Sequence, residues 1–280
     1  MLEVVRTVAE VQERVAALRA QGKRLALVPT MGFLHEGHLS LMREGARRAE
    51  VCAASIFVNP AQFGPREDLS RYPRDEAGDL EKCERAGATL VWAPTLQEVY
   101  PAGYQTYLEV TGVSARHCGA ARPGHFRGVA TVVAKLFNVF RPEVALFGEK
   151  DYQQLQVIRR MAADLSFGVE VVGMPTVREP DGLAMSSRNA YLDADERRRA
   201  LGLSRALKAA AHLRANGESS VERILEAARA ELGACALQEG YLALVDPHTL
   251  EPLAQLEGPA RLLVAAFVGR TRLIDNAAIG

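Results

Sequence analysis

The amino-acid sequence predicts an α/β fold: a parallel sheet with helices on both faces, followed by a smaller C-terminal α+β domain. Three features carry that expectation. Runs such as Leu25-Ala26-Leu27-Val28 are too apolar for a sheet with one wet face and fit parallel strands covered on both sides. They alternate with helical stretches of ten or more residues, the pattern of strand–helix–strand crossovers. The alternation stops after Pro175, and 280 residues exceed the ~100–200 of a usual single domain, so a second domain is expected.

Taken in order, Thr7 and Glu10 form a capping box, and Val8, Val11, Val15 and Leu18 recur at helical spacing until Gly22. The strand at Leu25–Val28 follows, then a glycine-bearing turn and a helix. Val51 to Val58 reads as a strand, Arg74 to Ala86 as a helix and Thr89 to Trp92 as a strand. Val129 to Phe140 reads as a helix, Val144 to Phe147 as a strand, Tyr152 to Leu165 as a helix and Val169 to Val172 as a strand. Ligands of such a sheet bind beyond the carboxyl ends of its strands. Arg178 to Asn189 is polar and loop-like, and the domain boundary is placed near Val177, giving domains 1–176 and 177–280. Asp193 with Glu196 caps a further helix, and Val221 to Leu232 is another. Tyr241–Val245, Leu262–Val268 and Thr271–Ile274 read as strands.

With 34 basic and 34 acidic side chains the chain carries no net charge, so neither nucleic acid nor a membrane surface is an expected partner. Cys52, Cys83, Cys118 and Cys235 form no C-x-x-C pair and read as buried apolar groups in a reducing cytoplasm. The first twenty residues contain no signal-peptide h-region, and no run approaches the ~18 apolar residues of a spanning helix. A cytoplasmic protein is expected.

Four segments carry more polar and glycine content at strand ends than packing requires. In Met31-Gly32-Phe33-Leu34-His35-Glu36-Gly37-His38 a strand passes through glycines into a helix whose start can face a phosphate, with two imidazoles three residues apart. A metalloprotease motif would space its histidines by four, and no Walker or G-x-G-x-x-G fingerprint is present. Two histidines at a turn are equally compatible with a structural role. Asn59-Pro60-Ala61-Gln62 carries a neutral amide past a strand end, either to hold a small polar substrate or to satisfy loop backbone. In Gly148-Glu149-Lys150-Asp151-Tyr152-Gln153-Gln154, Lys150 can neutralise phosphate and Asp151 can hold a magnesium-bound water or a ribose hydroxyl; a solvated charged turn is the alternative. Met185-Ser186-Ser187-Arg188 combines hydroxyls, amides and a guanidinium suited to a triphosphate, or is a polar linker.

These segments, with Val28-Pro29-Thr30-Met31-Gly32, Tyr72-Pro73-Arg74, Arg122-Pro123-Gly124-His125-Phe126 and Arg178-Glu179, resemble in order and spacing the pantothenate synthetase family of nucleotidyltransferases. The likeness runs from Leu27 to about Tyr191. It implies a Rossmann-like first domain, a smaller second domain that closes over it, and a homodimer. The implied activity is ATP-dependent ligation of pantoate to β-alanine through an acyl-adenylate, with Mg²⁺ on the phosphates, in the biosynthesis of pantothenate and coenzyme A. The resemblance further implies that Pro29, Met31, Gly32, His35, Gly37 and His38 border ATP, His38 being the catalytic acid and His35 lying on the phosphates. Gly148, Glu149, Lys150, Asp151, Val177, Met185, Ser186, Ser187 and Arg188 are the other implied nucleotide positions, with Lys150 also catalytic. Gln62 and Gln154 would hold pantoate, Gln62 also lying near β-alanine. Ala61 and Phe33 depart from the family's commoner residues, and altered packing without loss of activity is expected there. Another nucleotidyltransferase and a non-catalytic nucleotide-binding module are the competing readings.

Overall fold

In the computed structural model, residues 2–65 and 67–280 are described. The chain divides into two compact units. The first comprises Met1–Thr111, Arg122–Glu149 and Gln154–Pro175; the second comprises Gly112–Ala121, Lys150–Gln153 and Thr176–Gly280.

The first unit is built from β1 (Glu3–Val5), α1 (Val8–Ala20), β2 (Leu25–Thr30), α2 (Glu36–Arg48), β3 (Val51–Ile56), α3 (Glu76–Arg85), β4 (Leu90–Trp92) and α4 (Leu96–Val99). After a short helix α5 (Cys118–Ala121) that counts with the second unit, it resumes with α6 (His125–Phe140), β5 (Val144–Gly148), α7 (Tyr152–Asp164) and β6 (Glu170–Met174). Its six strands form one parallel sheet in the order β1-β4-β3-β2-β5-β6. The Thr7–Glu10 capping box starts α1 as the sequence predicts.

Alternation of side chains across the strands loads both faces of the sheet. Ala26, Val28, Cys52, Ala54, Val91, Val144 and Leu146 pack with Leu41 and Met42 of α2 and Cys83 of α3. On the other face the Trp92 ring meets Phe140 of α6 edge-on at 6.1 Å, and Phe137 meets Phe167. β2 runs through Pro29, which the sequence reading stops short of. Proline tolerates this central strand because β5 pairs only with Ala26 and Leu27, so its missing N–H falls beyond the ladder on that side.

The second unit contains α8 (Ala194–Ala215), α9 (Val221–Ala234), β7 (Gln238–Val245), β8 (Ala260–Val268) and β9 (Thr271–Ile279). The strands form an antiparallel sheet in that order. Leu203 and Leu207 of α8, Ile224 and Leu232 of α9, and Leu262 and Val264 of β8 share its core. The four cysteines are buried and unbridged, and burial pushes the Cys52 and Cys83 thiols up to about 12. Among the described residues no helix is long and apolar enough to cross a membrane.

Candidate functional site

Strand order reverses between β2 and β5: the chain runs from β2 outward to β3 and β4, then returns to β5 and β6 on the opposite side. The crevice beyond the carboxyl ends at such a switch is where open α/β sheets bind ligands. Pro29 lies in β2, the Met31–His38 loop leaves its end, and Gly148 closes β5.

The histidine loop is shaped by its own polar groups. Thr30 Oγ1 donates to Ser55 O at 2.7 Å and accepts from Gly32 N. Gly32 has φ +81°, and a Cβ there would meet Asp79 Oδ2 at 3.0 Å and Ile56 Cγ2 at 3.2 Å, so both backbone and space require glycine. His35 is the N-cap of α2: its Nδ1 accepts from Gly37 N at 3.2 Å, while His38 Nδ1 accepts from His35 N at 3.3 Å. The two rings, 4.1 Å apart between centroids, thus form a capping box in which both histidines take the roles usual for serine and glutamate. An Nδ1 that accepts carries no proton, so each neutral ring holds its proton on Nε2. The Gly37 amide is engaged by His35 and so is not simply open to an anion.

Beside it, the chain leaves β3 through a 3₁₀ turn, Pro60–Gln62, capped by Asn59. Gln62 is buried, and its Nε2 lies 3.1 Å from Met31 Sδ, joining the two strand ends. Asn59 Nδ2 donates to Gln62 Oε1 at 3.0 Å and to Gly128 O at 3.1 Å. The Gln62 carbonyl lies 2.8 Å from His125 Nδ1, and Arg122 pairs with both Glu67 carboxylate oxygens at 2.7 and 2.6 Å. His125 Nε2 sits 3.0 Å from Arg122 Nη1; because arginine only donates, this nitrogen accepts and Nδ1 donates to Gln62 O. Burial by itself would raise the Glu67 carboxyl, but hydrogen bonds and charge from Arg122 hold it below the usual range. Gln154 is half-buried in the first turn of α7, whereas neighbouring Gln153 is spent on structure, bonding Cys118 N, Val113 O and Arg116 O.

In the second unit, one strand holds two of the charged segments. Asp275 of β9, buried, accepts two hydrogen bonds from Arg178 at 2.6 and 2.9 Å, and Asn276 Nδ2 donates to Lys150 O at 2.9 Å. Lys150 Nζ lies 3.8 Å from Asp151 Oδ1, in the 3₁₀ turn Glu149–Asp151. Met185 N donates to Val177 O at 3.0 Å, closing the polar loop into a hairpin. Ser186 Oγ then caps the turn Ser187–Tyr191 by accepting from Arg188 N. Val177, Met185, Ser186, Ser187 and Arg188 are thereby one ordered structure and not a slack linker.

Residues 3–278 match the family model described as pantoate-beta-alanine ligase. The chain belongs to this family. Pantothenate synthetase of Myxococcus xanthus is 66% identical over 280 residues, covering 99% of this chain and 96% of that protein. That of Sphingopyxis alaskensis is 53% identical with both chains fully covered. The crystal structure of pantothenate synthetase from Thermus thermophilus superposes with TM-score 0.94 at 49% identity, covering 99% of each chain. A Francisella tularensis pantoate-beta-alanine ligase, complexed with beta-gamma ATP and beta-alanine, gives 0.82 at 27% identity, covering 99% of this chain and 97% of that one.

Several residues without an assigned role in the sequence reading hold these loops in shape. Asp79, fully buried on α3, accepts from Phe33 N and Leu34 N, each at 2.7 Å. Burial pushes its carboxyl up although these two amides oppose the shift. Gly128 lets α6 touch the Gln62 turn: a Cβ would lie 2.3 Å from Ala61 O and 2.6 Å from Gln62 N. Neither has a local signal, since an acidic first turn and a helical glycine are both commonplace. Of the two departures from family habit, Phe33 adopts φ +50° with Lys82 Nζ 6.0 Å from its ring centroid, and Ala61 is half-buried.

Proposed function

We infer that the chain condenses (R)-pantoate with β-alanine at the expense of ATP, yielding pantothenate, AMP and pyrophosphate through a pantoyl-adenylate. The observation that carries this reading is the pair of tilted imidazoles, 4.1 Å apart and each accepting at Nδ1, at the sheet's switch point beside the Gln62 amide. It supplies neutral donors for phosphate oxygens next to a donor for a small acid.

A carboxylate does not react usefully with an amine at neutral pH and must first gain a leaving group. A pantoate carboxylate oxygen attacks the α-phosphorus of ATP in line, and the bond to the bridging oxygen breaks to release pyrophosphate. Charge grows on the phosphate oxygens, where preorganised donors lower the barrier most. His38 donates from Nε2 to the phosphate oxygen on which charge grows, and His35 is its phosphate-binding neighbour, with Lys150 and Arg188 adding fixed positive charge. Pro29, Met31, Gly32, Gly37, Gly148, Glu149, Asp151, Val177, Met185, Ser186 and Ser187 complete the nucleotide contacts. Gln62 and Gln154 orient pantoate. The neutral amine of β-alanine then attacks the acyl carbon, and AMP leaves.

Among the described residues no three His, Cys, Asp or Glu side chains converge as a metal cage. Asp151, in the turn Glu149–Asp151 beside Lys150, is the carboxylate that would hold a water of a Mg²⁺ carried by the phosphates. The ion supplies neutralisation of the triphosphate charge when bound. A homodimer and cytoplasmic residence complete the proposal, the latter in keeping with four unbridged, buried cysteines.

Product analysis tests the function. Sustained release of AMP and pyrophosphate only when pantoate and β-alanine are both supplied is expected; release of ADP, or intact ATP binding without turnover, would contradict it.

A further inference from the structure

A glutamine amide can offer a ligand either its oxygen or its N–H groups, and here the fold selects which. Asn59 lies between two groups of fixed polarity. Its Oδ1 faces the Ala61 N–H at 3.3 Å, which only donates, and its Nδ2 faces Gly128 O at 3.1 Å, which only accepts. The Asn59 amide therefore has one orientation. The Tyr100 hydroxyl, 2.9 Å from Asn59 Oδ1, reinforces it by donating to the same oxygen. Burial, with Tyr104 and Tyr107 nearby, pushes this phenol well above its ordinary value, so it stays a donor. Asn59 Nδ2 must then meet an acceptor on Gln62, and the atom 3.0 Å away is Oε1. What remains for a ligand is Gln62 Nε2, whose nearest polar company is Met31 Sδ at 3.1 Å, a weak acceptor that a hydroxyl or carboxylate oxygen outcompetes.

We propose that Tyr100 is a positioning residue which, through Asn59, locks the Gln62 amide with its N–H groups toward substrate, so that the atom recognised there is an oxygen acceptor of pantoate. The inference rests on the assignment of Gln62 to pantoate and sharpens it. The side-chain oxygen of Gln62 is turned toward Asn59 Nδ2, so the edge this amide offers a ligand is its N–H groups. The relay is therefore expected to act on pantoate more than on β-alanine. Tyr100 is held for this task by aromatic packing: its ring lies 6.3 Å from Phe57 and 5.0 Å from Tyr104, with Lys135 Nζ 5.5 Å from its centroid.

Steady-state kinetics of the full chain, with each substrate varied in turn, test the proposal. Tyr100→Phe keeps the ring packing and removes only the donor to Asn59. The expected result is a rise of about three- to ten-fold in KM for pantoate, the scale of one neutral hydrogen bond. KM for β-alanine and ATP should stay within about two-fold and kcat should change less than the pantoate KM. Tyr104→Phe, which removes a hydroxyl from the same aromatic group without touching Asn59, should leave all parameters unchanged. Gln62→Ala separates the two levels of inference. If it raises the pantoate KM while Tyr100→Phe behaves like Tyr104→Phe, the relay is wrong and the Gln62 assignment stands. If Gln62→Ala leaves the pantoate KM unaltered, the assignment fails and the relay with it. Equal rises in all three KM values for Tyr100→Phe would also overturn the proposal, marking a general loosening of the fold.

Discussion

The loop after β2 and the turn after β3 leave neighbouring strands at one sheet edge, yet they are held in opposite ways. The histidine loop is largely self-built: Thr30 turns the chain, Gly32 supplies the left-handed backbone, and His35 and His38 cap each other's amides. Its anchor from outside is Asp79. The Gln62 turn is held from afar: Tyr100 reaches Asn59 across 41 positions, His125 reaches Gln62 across 63, and Gly128 meets Asn59 across 69. A site element that makes its own shape concentrates its chemistry in one motif. An element clamped by distant groups disperses the same information along the chain.

The contrast can be tested by breaking each element where it is held. The largest effect is expected at the chemistry itself: His38→Ala should lower kcat by about two or more orders of magnitude, the scale of a single charge-stabilising group, in a protein that still folds. Lys150→Ala should do the same, and near-normal turnover of either variant would remove that residue from the mechanism. Next is the remote clamp. Gly128→Ala forces a methyl into the Ala61–Gln62 backbone and should cost ~1–3 kcal/mol of stability, read by denaturant unfolding, with more than about ten-fold lower kcat/KM for pantoate. An unperturbed enzyme would show that this contact is slack.

The self-built loop should respond differently. Asp79→Asn keeps one oxygen, so one of the two loop amides loses its acceptor, and kcat should fall about ten-fold. Relief of the buried charge is offset by the amide left without an acceptor, so thermal stability should fall modestly. A large drop in Tm with unaltered kcat would reverse that assignment. The smallest effect concerns Glu67, whose folded pKa is depressed by Arg122 against the opposing effect of burial. Its contribution to stability is complete above the ordinary carboxylate value of ~4.3 and is lost as pH falls through the depressed folded value. The Tm gap between wild type and Glu67→Gln should therefore be steady above about pH 5 and close in more acidic solution. A gap that widens in acid would contradict the pairing.

The same contrast explains what could be read from the sequence. The strand–helix alternation, the capping boxes at Thr7 and Asp193 and the apolar runs are local, and the corresponding elements are present. Elements shaped by remote partners extend beyond their local sequence pattern. α6 begins at His125 and not Val129, because a buried histidine and Gly128 look like breakers until their contacts with the Gln62 turn are known. β9 continues beyond Ile274 through Asp275 and Asn276, polar residues that belong in a strand only because Arg178 and the Lys150 carbonyl await them. β1, three residues long, is too short to show alternation and exists through pairing with β4. The candidate residues themselves were legible as motif. The tautomers of His35 and His38 and the way Gln62 is held follow only from three-dimensional hydrogen bonding.

The most direct measurement is exchange of labelled pyrophosphate into ATP with pantoate present and β-alanine omitted. Exchange that depends on pantoate, needs no β-alanine and is lost in His38→Ala is the expected result. Exchange that requires β-alanine, or that survives in His38→Ala at the wild-type rate, would contradict an adenylate formed at the histidine loop.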